Sequence, residues 1–307
     1  MPILEVENLS VSFKKYTRGF KQTKSTVITS LDVTIEEGEI LAIVGASGSG
    51  KSLLAHAILG ILPSNAITSG VIKYEGEELT PARQSVLRGR EIALIPQSVN
   101  YLDPLMRVGS QIRTSVKKGN AAAAQREVFQ RYHLKAHVEK MYPFQLSGGM
   151  ARRTLLATAM VSGARVIIAD EPTPGLDSVV IAEALNHLKE FADDGCAVML
   201  ITHDVESALR IADRIAVFYA GTTVEISPVE HFNGNGERLR HPYSKALWSA
   251  LPQNDFIPIK GSQPHPSQLP SGCLFAPRCE MATPDCEQER PAMRNLRNGM
   301  VRCIHAT

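Results

Sequence analysis

Residues 45–52 constrain the fold of this chain more than any other segment. They read GASGSGKS and stand between an apolar run, EILAIVG, and a helix-like run, SLLAHAILGIL, which we expect to end at Pro63. A glycine-rich turn between a strand and a helix lets backbone N–H groups approach phosphate, while Lys51 reaches the β- and γ-phosphates and Ser52 binds Mg²⁺. The alternative is a turn that binds nothing. The segment predicts an ATP cradle formed by Gly45, Ser47, Gly48, Ser49, Gly50, Lys51, Ser52 and Leu53.

A second apolar run, VIIADE, ends in two carboxylates, Asp170 and Glu171. Four apolar residues before them indicate a strand buried on both faces, so we expect both acids at its carboxyl end. In a site that already contains a phosphate loop, Asp170 would hold Mg²⁺ and Glu171 would polarise the water that attacks the γ-phosphate. A solvated turn or a helix cap is the alternative interpretation of two adjacent acids.

The composition excludes several classes of protein. A chain of 307 residues with 44% hydrophobic residues can bury a full core and a smaller second unit. The formal charge of +2 gives no large basic field that would attract nucleic acid or an anionic membrane. The start, MPILEVENLSVSF, lacks the pattern of a signal peptide, and no run approaches the roughly 18 apolar residues of a membrane span. We therefore expect a cytosolic chain whose membrane contact is peripheral.

The order of patterns along the chain predicts an α/β core with a helical insertion. One strand is expected in ILEVENLSVSF, and SLDVTIEEGEILAIVG predicts a second strand, a turn at Glu37 and Gly38, and a third, buried strand. Further strands are expected in ARVIIAD and AVMLITHD. Between about residues 80 and 162 the pattern is mostly helical and includes NAAAAQREVFQRYHL. After about Gly221, glycine and proline become frequent, which predicts a loop-rich tail with little periodicity.

Six motifs, taken in order, resemble those of the ABC-transporter ATPases. They are the phosphate loop, Gln97 in IPQS, the signature LSGGM, VIIADE, PGLD with Asp177, and LITHD with His203. The resemblance implies a P-loop ATPase core over residues 1–235, with an antiparallel β subdomain and a helical subdomain at about 80–162. It also implies a small cysteine-bearing C-terminal extension over residues 236–307.

The resemblance further implies a role for each matching residue. Gln97 would contribute to the magnesium site and couple it to a membrane partner, and His203 would hold the γ-phosphate. Two such domains pack head to tail in this family, so Ser147, Gly148 and Gly149 would close over ATP held by a second cassette. Asp177 would communicate across that dimer, and Phe13 would stack on adenine, with Tyr16 as its competitor.

Other features resemble the branch that imports oligopeptides, dipeptides and nickel. They are Met150 in the signature, the stretch IPQSVNYLDPLMRVGSQI, the motif HPYSKALWSALP and the segment LPSGCLFAPRC, although MARR and PGLD differ from the commonest forms of the branch. The resemblance implies an ATPase at the cytoplasmic face of the membrane, working with two permeases and, indirectly, an extracytoplasmic substrate-binding protein. A heterodimer with a second ATPase is favoured over a homodimer. The solute would be a peptide, nickel or a nickel-chelator complex.

The competing class is an ABC ATPase that acts on DNA or ribosomes. DNA-acting relatives carry insertions between the phosphate loop and the signature, but Lys51 and Ser147 are only 96 positions apart (147 − 51). Ribosome-acting relatives usually have two cassettes in one chain, and this chain has one. We therefore expect no nucleic-acid partner.

The tail holds four of the five cysteines, Cys273, Cys279, Cys286 and Cys303. Clustered cysteines in a reducing compartment more often bind metal than form disulfides, and four thiolates match a [4Fe–4S] cluster. Zinc is the runner-up, since its usual cysteine pairs are two to four residues apart, whereas five and six residues separate the first three here. Unligated thiols are the third alternative, and His305 could replace one ligand. Cys196 is expected to be an ordinary core thiol.

Overall fold

The computed structural model describes residues 1–16, 22–175 and 178–307. Twelve strands and nine α-helices are assigned within these ranges. In chain order they are β1 (Leu4–Tyr16), β2 (Gln22–Ile35), β3 (Ile40–Gly45), α1 (Lys51–Leu59), β4 (Ala66–Tyr74), β5 (Glu77–Glu78), α2 (Pro81–Leu87), β6 (Ile92–Ile95), α3 (Val108–Ser115), α4 (Ala121–Arg131), α5 (Gly148–Val161), β7 (Val166–Asp170), α6 (Ser178–Asp193), β8 (Ala197–Thr202), α7 (Val205–Ile211), β9 (Arg214–Tyr219), β10 (Thr222–Pro228), α8 (Pro242–Ser249), α9 (Asp285–Gln288), β11 (Arg294–Leu296) and β12 (Gly299–Val301).

The chain divides into two compact units. The first unit contains Met1–Ile35, Leu41–Leu79 and Thr202–Thr307, and the second contains Glu36–Ile40 and Thr80–Ile201. The phosphate loop and the whole cysteine-bearing tail thus belong to the first unit. The boundary expected between residues 235 and 236 stays a prediction.

An antiparallel sheet opens the first unit, with strand order β2-β1-β4-β5. Leu4 of β1 pairs with Ile35 of β2 on one side and with Tyr74 of β4 on the other. Apolar side chains that alternate along β1 are buried, among them Leu4 and Val6. The first two of the three strands predicted from the first 45 residues are therefore confirmed, as β1 and β2.

Parallel strands β3 and β9 carry the phosphate loop within the first unit. Their register runs from Leu41 opposite Arg214 to Gly45 opposite Phe218. Every residue of β3 is buried, which agrees with its uninterrupted apolar sequence. Beyond β9 the strand order continues through β10 and β12 to β11, and all of these neighbours pair antiparallel.

The expectation of a loop-rich tail after Gly221 is wrong for the start of the tail, whereas few residues beyond Ser249 belong to a helix or strand. Strand β10 begins at the residue after Gly221, because Ala220 and Gly221 make the tight turn from β9. Its core positions include Glu225, which is fully buried, so the strand lacks the apolar pattern that would have predicted it. Helix α8 and strands β11 and β12 follow.

Strands β6, β7 and β8 of the second unit pair in parallel. Ile95 of β6 lies opposite Ala169 of β7, and Asp170 of β7 lies opposite Ile201 of β8. The apolar runs predicted as buried strands at β7 and β8 are confirmed, since every residue of both is buried. The predicted helix in NAAAAQREVFQRYHL is confirmed as α4, whose start is capped by the Asn120 side chain.

Helix α1 ends earlier than expected. We predicted that Pro63 would end it, but the last helical residue is Leu59. Gly60 adopts a left-handed conformation with φ of 65°, and its N–H donates to the Ala57 carbonyl at 3.2 Å. This glycine cap satisfies the end of the helix before the proline is reached. None of the described helices is long and apolar enough to cross a bilayer.

Candidate nucleotide site and cysteine cavity

The phosphate loop depends on two glycines, Gly45 for lack of room and Gly50 for its left-handed backbone. A Cβ on Gly45 would clash with the carbonyl oxygen of Phe218 on the neighbouring strand. Gly50 has φ of 96°, which glycine adopts without strain, and it immediately precedes α1. Between them, Ser47 and Gly48 are exposed at the tip of the loop.

Lys51 is buried at the first position of α1. Its Nζ donates to the carbonyl oxygens of Gly45 at 2.8 Å and Ala46 at 3.1 Å, so the ammonium group lies within its own loop. Ser52 and Leu53 follow in the first turn of the helix, where N–H groups have no acceptor within the helix. A positive side chain and a helix start therefore meet at one turn, which is the arrangement that binds phosphate.

Three other expected nucleotide contacts also belong to the first unit. His203 is exposed in the link between β8 and α7. Phe13 is half-buried in β1, where it pairs with Ser25 and Ala66. Tyr16 is the last residue of β1.

The second unit carries the acidic residues at the carboxyl end of its sheet. Asp170 ends β7 and Glu171 follows it, and both are buried. The Glu171 N–H donates to the carbonyl oxygen of Ile201 at 2.8 Å, and φ of 47° turns the chain away from the strand direction. Gln97 is exposed two residues after the parallel neighbour β6. These three side chains thus share one edge of the sheet, as the sequence predicted for the two acids.

The signature motif LSGGM lies at the start of helix α5, where the backbone of its two glycines is uncovered. Ser147 is the cap residue, and its Oγ accepts a hydrogen bond from the Met150 N–H at 3.3 Å. A Cβ added to Gly148 or Gly149 would meet nothing within 4 Å, so an anion can approach the first turn. Asp177 of the PGLD motif lies outside the described residues.

Arg152 was missed by sequence reasoning. This guanidinium is buried on α5, and its Nη1 donates to the Pro96 carbonyl at 2.8 Å, one residue before Gln97. Burial lowers the pKa of Arg152. The signature helix and the Gln97 segment are therefore fastened together inside the second unit. A charged residue within the apolar run MARRTLLATAM was the available signal.

Gln111 is a second residue that the sequence did not reveal. Its buried side chain accepts from the Asp103 N–H at 3.0 Å and donates to the carbonyls of Asp103 at 3.0 Å and Met106 at 2.8 Å. These three bonds shape the loop that follows Gln97. The same loop borders a groove of about 370 Å³ lined by residues that include Val99, Leu102, Pro104, Pro143, Phe144 and Ala151.

The four tail cysteines surround one cavity in the first unit. Cys273, Cys279, Cys286 and Cys303 all line it, together with His305, and its volume is about 10 Å³. Burial, with smaller contributions from neighbouring thiols, raises the pKa values of Cys273 and Cys279. The Cys286 Sγ lies 3.4 Å from the His305 Nε2. Among residues 1–16, 22–175 and 178–307, no three Cys, His, Asp or Glu side chains form a group able to hold a metal ion.

Cationic side chains lie beside this cavity. The buried Arg302 donates to Asp32 at 2.6 Å and to the Pro291 carbonyl at 3.0 Å, and Pro291 lines the cavity. Burial lowers the pKa of Arg290, the charge of Arg302 lowers it further, and Cys273 opposes both effects. Cys196 belongs to the second unit, where its Sγ donates to the Ala164 carbonyl at 3.3 Å.

Comparison with known proteins agrees with this geometry. Residues 28–174 match the ABC transporter family, and residues 224–286 match the C-terminal region of oligopeptide/dipeptide transporters. The oligopeptide transport ATP-binding protein AppD of Bacillus subtilis is 34% identical, over 98% of this chain and 96% of that protein. The oligopeptide transport ATP-binding protein OppD of Haemophilus influenzae is also 34% identical, with the same coverage. A dimeric bacterial ABC transporter cassette superposes with a TM-score of 0.64 at 24% identity, over 74% of this chain and 98% of that one.

The fold and the phosphate loop define a P-loop ATPase cassette, as predicted. The chain belongs to the ATP-binding subunits of ABC transporters, in the branch that carries the oligopeptide/dipeptide C-terminal region. It is thus an ATPase that works as the nucleotide-binding subunit of a transporter.

Proposed function

We propose that this chain hydrolyses ATP to power the import of peptides through two permease subunits at the cytoplasmic face of the membrane. The observation that carries the proposal is the union of a complete phosphate loop with an oligopeptide/dipeptide C-terminal region in one chain. Full-length relatives named as oligopeptide transport proteins support peptides as the solute. Nickel and nickel-chelator complexes are the alternatives.

The chemistry is divided among residues with distinct tasks. Lys51 and the N–H groups of residues 45–52 bind the phosphates, while Ser52, Gln97 and Asp170 would hold Mg²⁺. Bound Mg²⁺ supplies neutralisation of the β- and γ-phosphate charge. Glu171 accepts a proton from the attacking water, and His203 holds the γ-phosphate. Phe13 would stack on the adenine ring.

The signature serves a second cassette. Ser147, Gly148 and Gly149 offer a hydroxyl and open N–H groups to an anion, without a lysine of their own. Such a partial cradle is useful when it closes over ATP that another cassette already holds. We therefore propose a dimer of ATPase subunits, with a different ATPase as the favoured partner, and Asp177 as a residue that acts across the dimer.

The permeases would dock on the groove next to Gln97. The lining residue Phe144 is 75% exposed, and Tyr101 and Leu105, which are next in sequence to lining residues, are 55% and 87% exposed. The occupant we propose is a short amphipathic helix from a cytoplasmic loop of a permease, since an apolar helix face fits a groove of about 370 Å³. The groove follows Gln97 directly in sequence, so docking there can reach the magnesium site.

A paired charge substitution tests this docking. Leu105→Glu should abolish co-purification with permeases while ATP binding persists, because it adds a charge to an apolar interface. Val86→Glu is the matched control, since Val86 is also exposed, at 58%, but lies on α2. Equal loss of co-purification in both variants would argue against the groove.

We propose that the four cysteines hold a [4Fe–4S] cluster after the tail rearranges, since in the arrangement described no three of these side chains form a group able to hold a metal ion. All four thiols face one cavity, and the nearby cations Arg290 and Arg302 would stabilise an anionic thiolate cluster. The cavity of about 10 Å³ has space for roughly one water, so the thiols must move apart to admit a cluster. The donor set and its charge environment support the cluster, and zinc is the alternative.

Transport in reconstituted vesicles tests the main proposal. The chain would be assembled with its permeases, partner ATPase and substrate-binding protein, and uptake of a labelled peptide would be compared with uptake of nickel salts and a nickel chelate. Peptide uptake that requires ATP and is lost in Glu171→Gln is expected. Uptake of nickel alone would replace the proposed solute, and binding to DNA or ribosomes with no uptake would refute the transport role.

A further inference from the structure

Strand β2 carries a strained bulge within the first unit. Leu9 of β1 pairs with Leu31 of β2. The next pair in the register is Val11 with Ile28, so β2 takes three steps (31 − 28) where β1 takes two (11 − 9). Within this bulge Ser30 has φ of 46°, a left-handed conformation that residues other than glycine seldom adopt. A backbone of this kind persists only where the surrounding contacts hold it.

The bulge immediately follows the part of β2 that packs on the phosphate loop. Ile28 is fully buried, and a Cβ built on Gly50 would lie 3.1 Å from the Ile28 Cγ1 and 3.6 Å from the Val27 carbonyl oxygen. Gly50 directly precedes Lys51 and is the cap residue of helix α1. Because this contact is close, a shift of β2 at its bulge also displaces the turn that binds phosphate.

Arg302 of the C-terminal tail holds the bulge in place. Its buried side chain follows strand β12, and its Nη2 donates to the Ser30 carbonyl at 2.8 Å and to the Asp32 Oδ2 at 2.6 Å. Its Nε and Nη1 donate to the carbonyls of Thr223 and Pro291, each at 3.0 Å. One planar guanidinium thus joins β2, β10 and the tail, which the single ammonium group of a lysine cannot reproduce.

Other donors reach the same two residues of the bulge, Thr29 and Ser30. The Arg290 guanidinium donates to the Thr29 Oγ1, and the Thr222 hydroxyl donates to the Ser30 carbonyl at 3.2 Å. Arg290 and Arg302 lie 261 and 272 positions along the chain from the bulge residues that they contact. Two arginines of the tail therefore fasten a strained segment of the antiparallel sheet.

We propose that these two tail arginines, Arg290 and Arg302, are positioning residues for ATP binding. They hold the bulge of β2, which keeps Ile28 packed on Gly50 and the phosphate loop ordered before ATP arrives. When the hold is lost, Ser30 relaxes toward an unstrained backbone and β2 shifts, so that ATP must order the loop as it binds and its affinity falls. This inference rests on ATP binding by the chain and is independent of the solute, of the permeases and of any metal in the tail.

The alternative is that both arginines only attach the tail to the first unit. Their substitution would then lower the melting temperature and loosen the tail, while the folded protein would bind ATP as the wild type does. The two cases differ in the affinity for ATP and in the protection of the phosphate loop from hydrogen exchange.

Arg302→Lys in the full-length chain tests the proposal, because it keeps the charge but cannot reach all four acceptors. The dissociation constant of Mg–ATP and the hydrogen exchange of residues 22–35 and 45–52 are measured well below the melting temperature of the variant. We expect about three- to tenfold weaker binding and faster exchange in both segments. In the assembled transporter, KM for ATP should rise by a similar factor with little change in kcat, since the tail arginines supply no group to the reaction.

Two further variants locate the effect. Arg294→Lys is the matched control, because Arg294 is also a tail arginine but its Nη2 donates within the tail, to the carbonyls of Cys303 at 2.9 Å and Ala306 at 2.5 Å. Its ATP affinity and loop exchange should equal those of the wild type. Thr29→Val removes the hydroxyl that Arg290 contacts and alters no tail residue, and we expect it to weaken ATP binding about two- to threefold.

The outcomes separate this proposal from the nucleotide site itself. Wild-type ATP affinity and loop exchange in folded Arg302→Lys would overturn the proposal and leave the site intact. Equal losses of affinity in Arg302→Lys and Arg294→Lys would assign the effect to the tail in general and refute the role of the bulge. If Arg302→Lys does not fold, wild-type affinity in Thr29→Val decides against the proposal. Wild-type protein that binds no ATP would instead refute the nucleotide site.

Discussion

The phosphate loop and the cysteine cavity lie in the same unit but are built in different ways. The loop uses eight consecutive residues, and its contacts are mostly backbone: a glycine against the Phe218 carbonyl, a lysine held by two carbonyls and a helix start. The cavity collects four side chains spread over 31 residues, with only the four-residue helix α9 and two three-residue strands nearby in sequence. A site made from local backbone can be preorganised before any ligand binds. A site made from dispersed thiols gains much of its order from what it binds.

The largest effects should separate chemistry from binding at the phosphate loop. We expect Glu171→Gln to lower ATP turnover by about 10²–10⁴-fold, because the attacking water loses its base, while ATP remains bound. Lys51→Ala should also abolish turnover, but by weakening ATP binding about ten- to a hundredfold, since a charge-assisted contact with phosphate is lost. Steady-state hydrolysis by the assembled transporter and equilibrium ATP binding distinguish them.

The metal content of the cysteine cavity is the control measurement for Glu171→Gln and Lys51→Ala. Both proteins should keep the metal content of the wild type, because neither residue belongs to the tail. Glu171→Gln that hydrolyses ATP at the wild-type rate would remove that residue from its proposed role.

The second prediction concerns a substitution in the cysteine cavity. Cys279→Ser should lose bound metal and the broad visible absorbance of an iron–sulfur cluster, because one of four thiolate ligands is missing. We expect a lower melting temperature as well, since metal binding contributes to the folding of a segment with little core of its own. Metal analysis and thermal unfolding of anaerobic protein measure both. Cys196→Ser, which alters the remaining cysteine outside the cavity, should leave metal content unchanged.

A colourless preparation with stoichiometric zinc would change the assigned metal without changing the ligands. Protein free of metal, with Cys279→Ser as stable as the wild type, would leave four buried thiols with no ligand role.

Local order also explains how much of the molecule the sequence could predict. The strands β3, β7 and β8 and the phosphate loop were predictable because each is specified by consecutive residues of one character. Strand β10 was not, because the carboxylate of Glu225 is satisfied by the N–H groups of Arg240 and His241, which lie far along the chain. The sequence pattern cannot reveal a partner of that kind.

The same distinction applies to the sites. The acids at the end of β7 follow from an apolar run, whereas the hydrogen bonds from Arg152 to Pro96 and from Gln111 to Asp103 exist only after folding. Cysteine spacing indicated a ligand set, and the fold brought all four to one cavity. The spacing of the cysteines could not predict the size of the cavity or the arginines beside it.

The third prediction measures how tightly the loop is built. Gly45→Ala should destabilise the first unit by about 1–3 kcal/mol, because the added methyl group clashes with the Phe218 carbonyl. Gly148→Ala is the control at the other phosphate-binding turn, since nothing lies within 4 Å of its added Cβ and its φ is not positive. Thermal unfolding should show a lower midpoint for Gly45→Ala alone. Equal melting midpoints for Gly45→Ala and Gly148→Ala would mean that β9 shifts to make room for the methyl group.

The last prediction concerns the pH dependence of stability that His241 causes. His241 is fully buried at the start of α8, where its Nδ1 accepts from the Tyr243 N–H at 3.0 Å. Burial, with a contribution from the charge of Arg302, lowers the pKa of His241 to about 3. The unfolded chain therefore takes up a proton below about pH 6.5 that the folded chain does not. The stabilisation is complete above pH 6.5 and is lost as the pH falls toward 3, at roughly 1.4 kcal/mol per pH unit.

Replacing this histidine should flatten that dependence. His241→Asn retains a side-chain acceptor suited to a helix cap and removes the titrating group. We expect the melting temperature of the wild type to fall more steeply than that of His241→Asn between pH 6.5 and pH 5, measured in buffers of constant ionic strength. Parallel curves for the two proteins would show that His241 is protonated as readily in the folded chain as in the unfolded one. The packing around His241 beside the cysteine cavity would then be looser than its full burial implies.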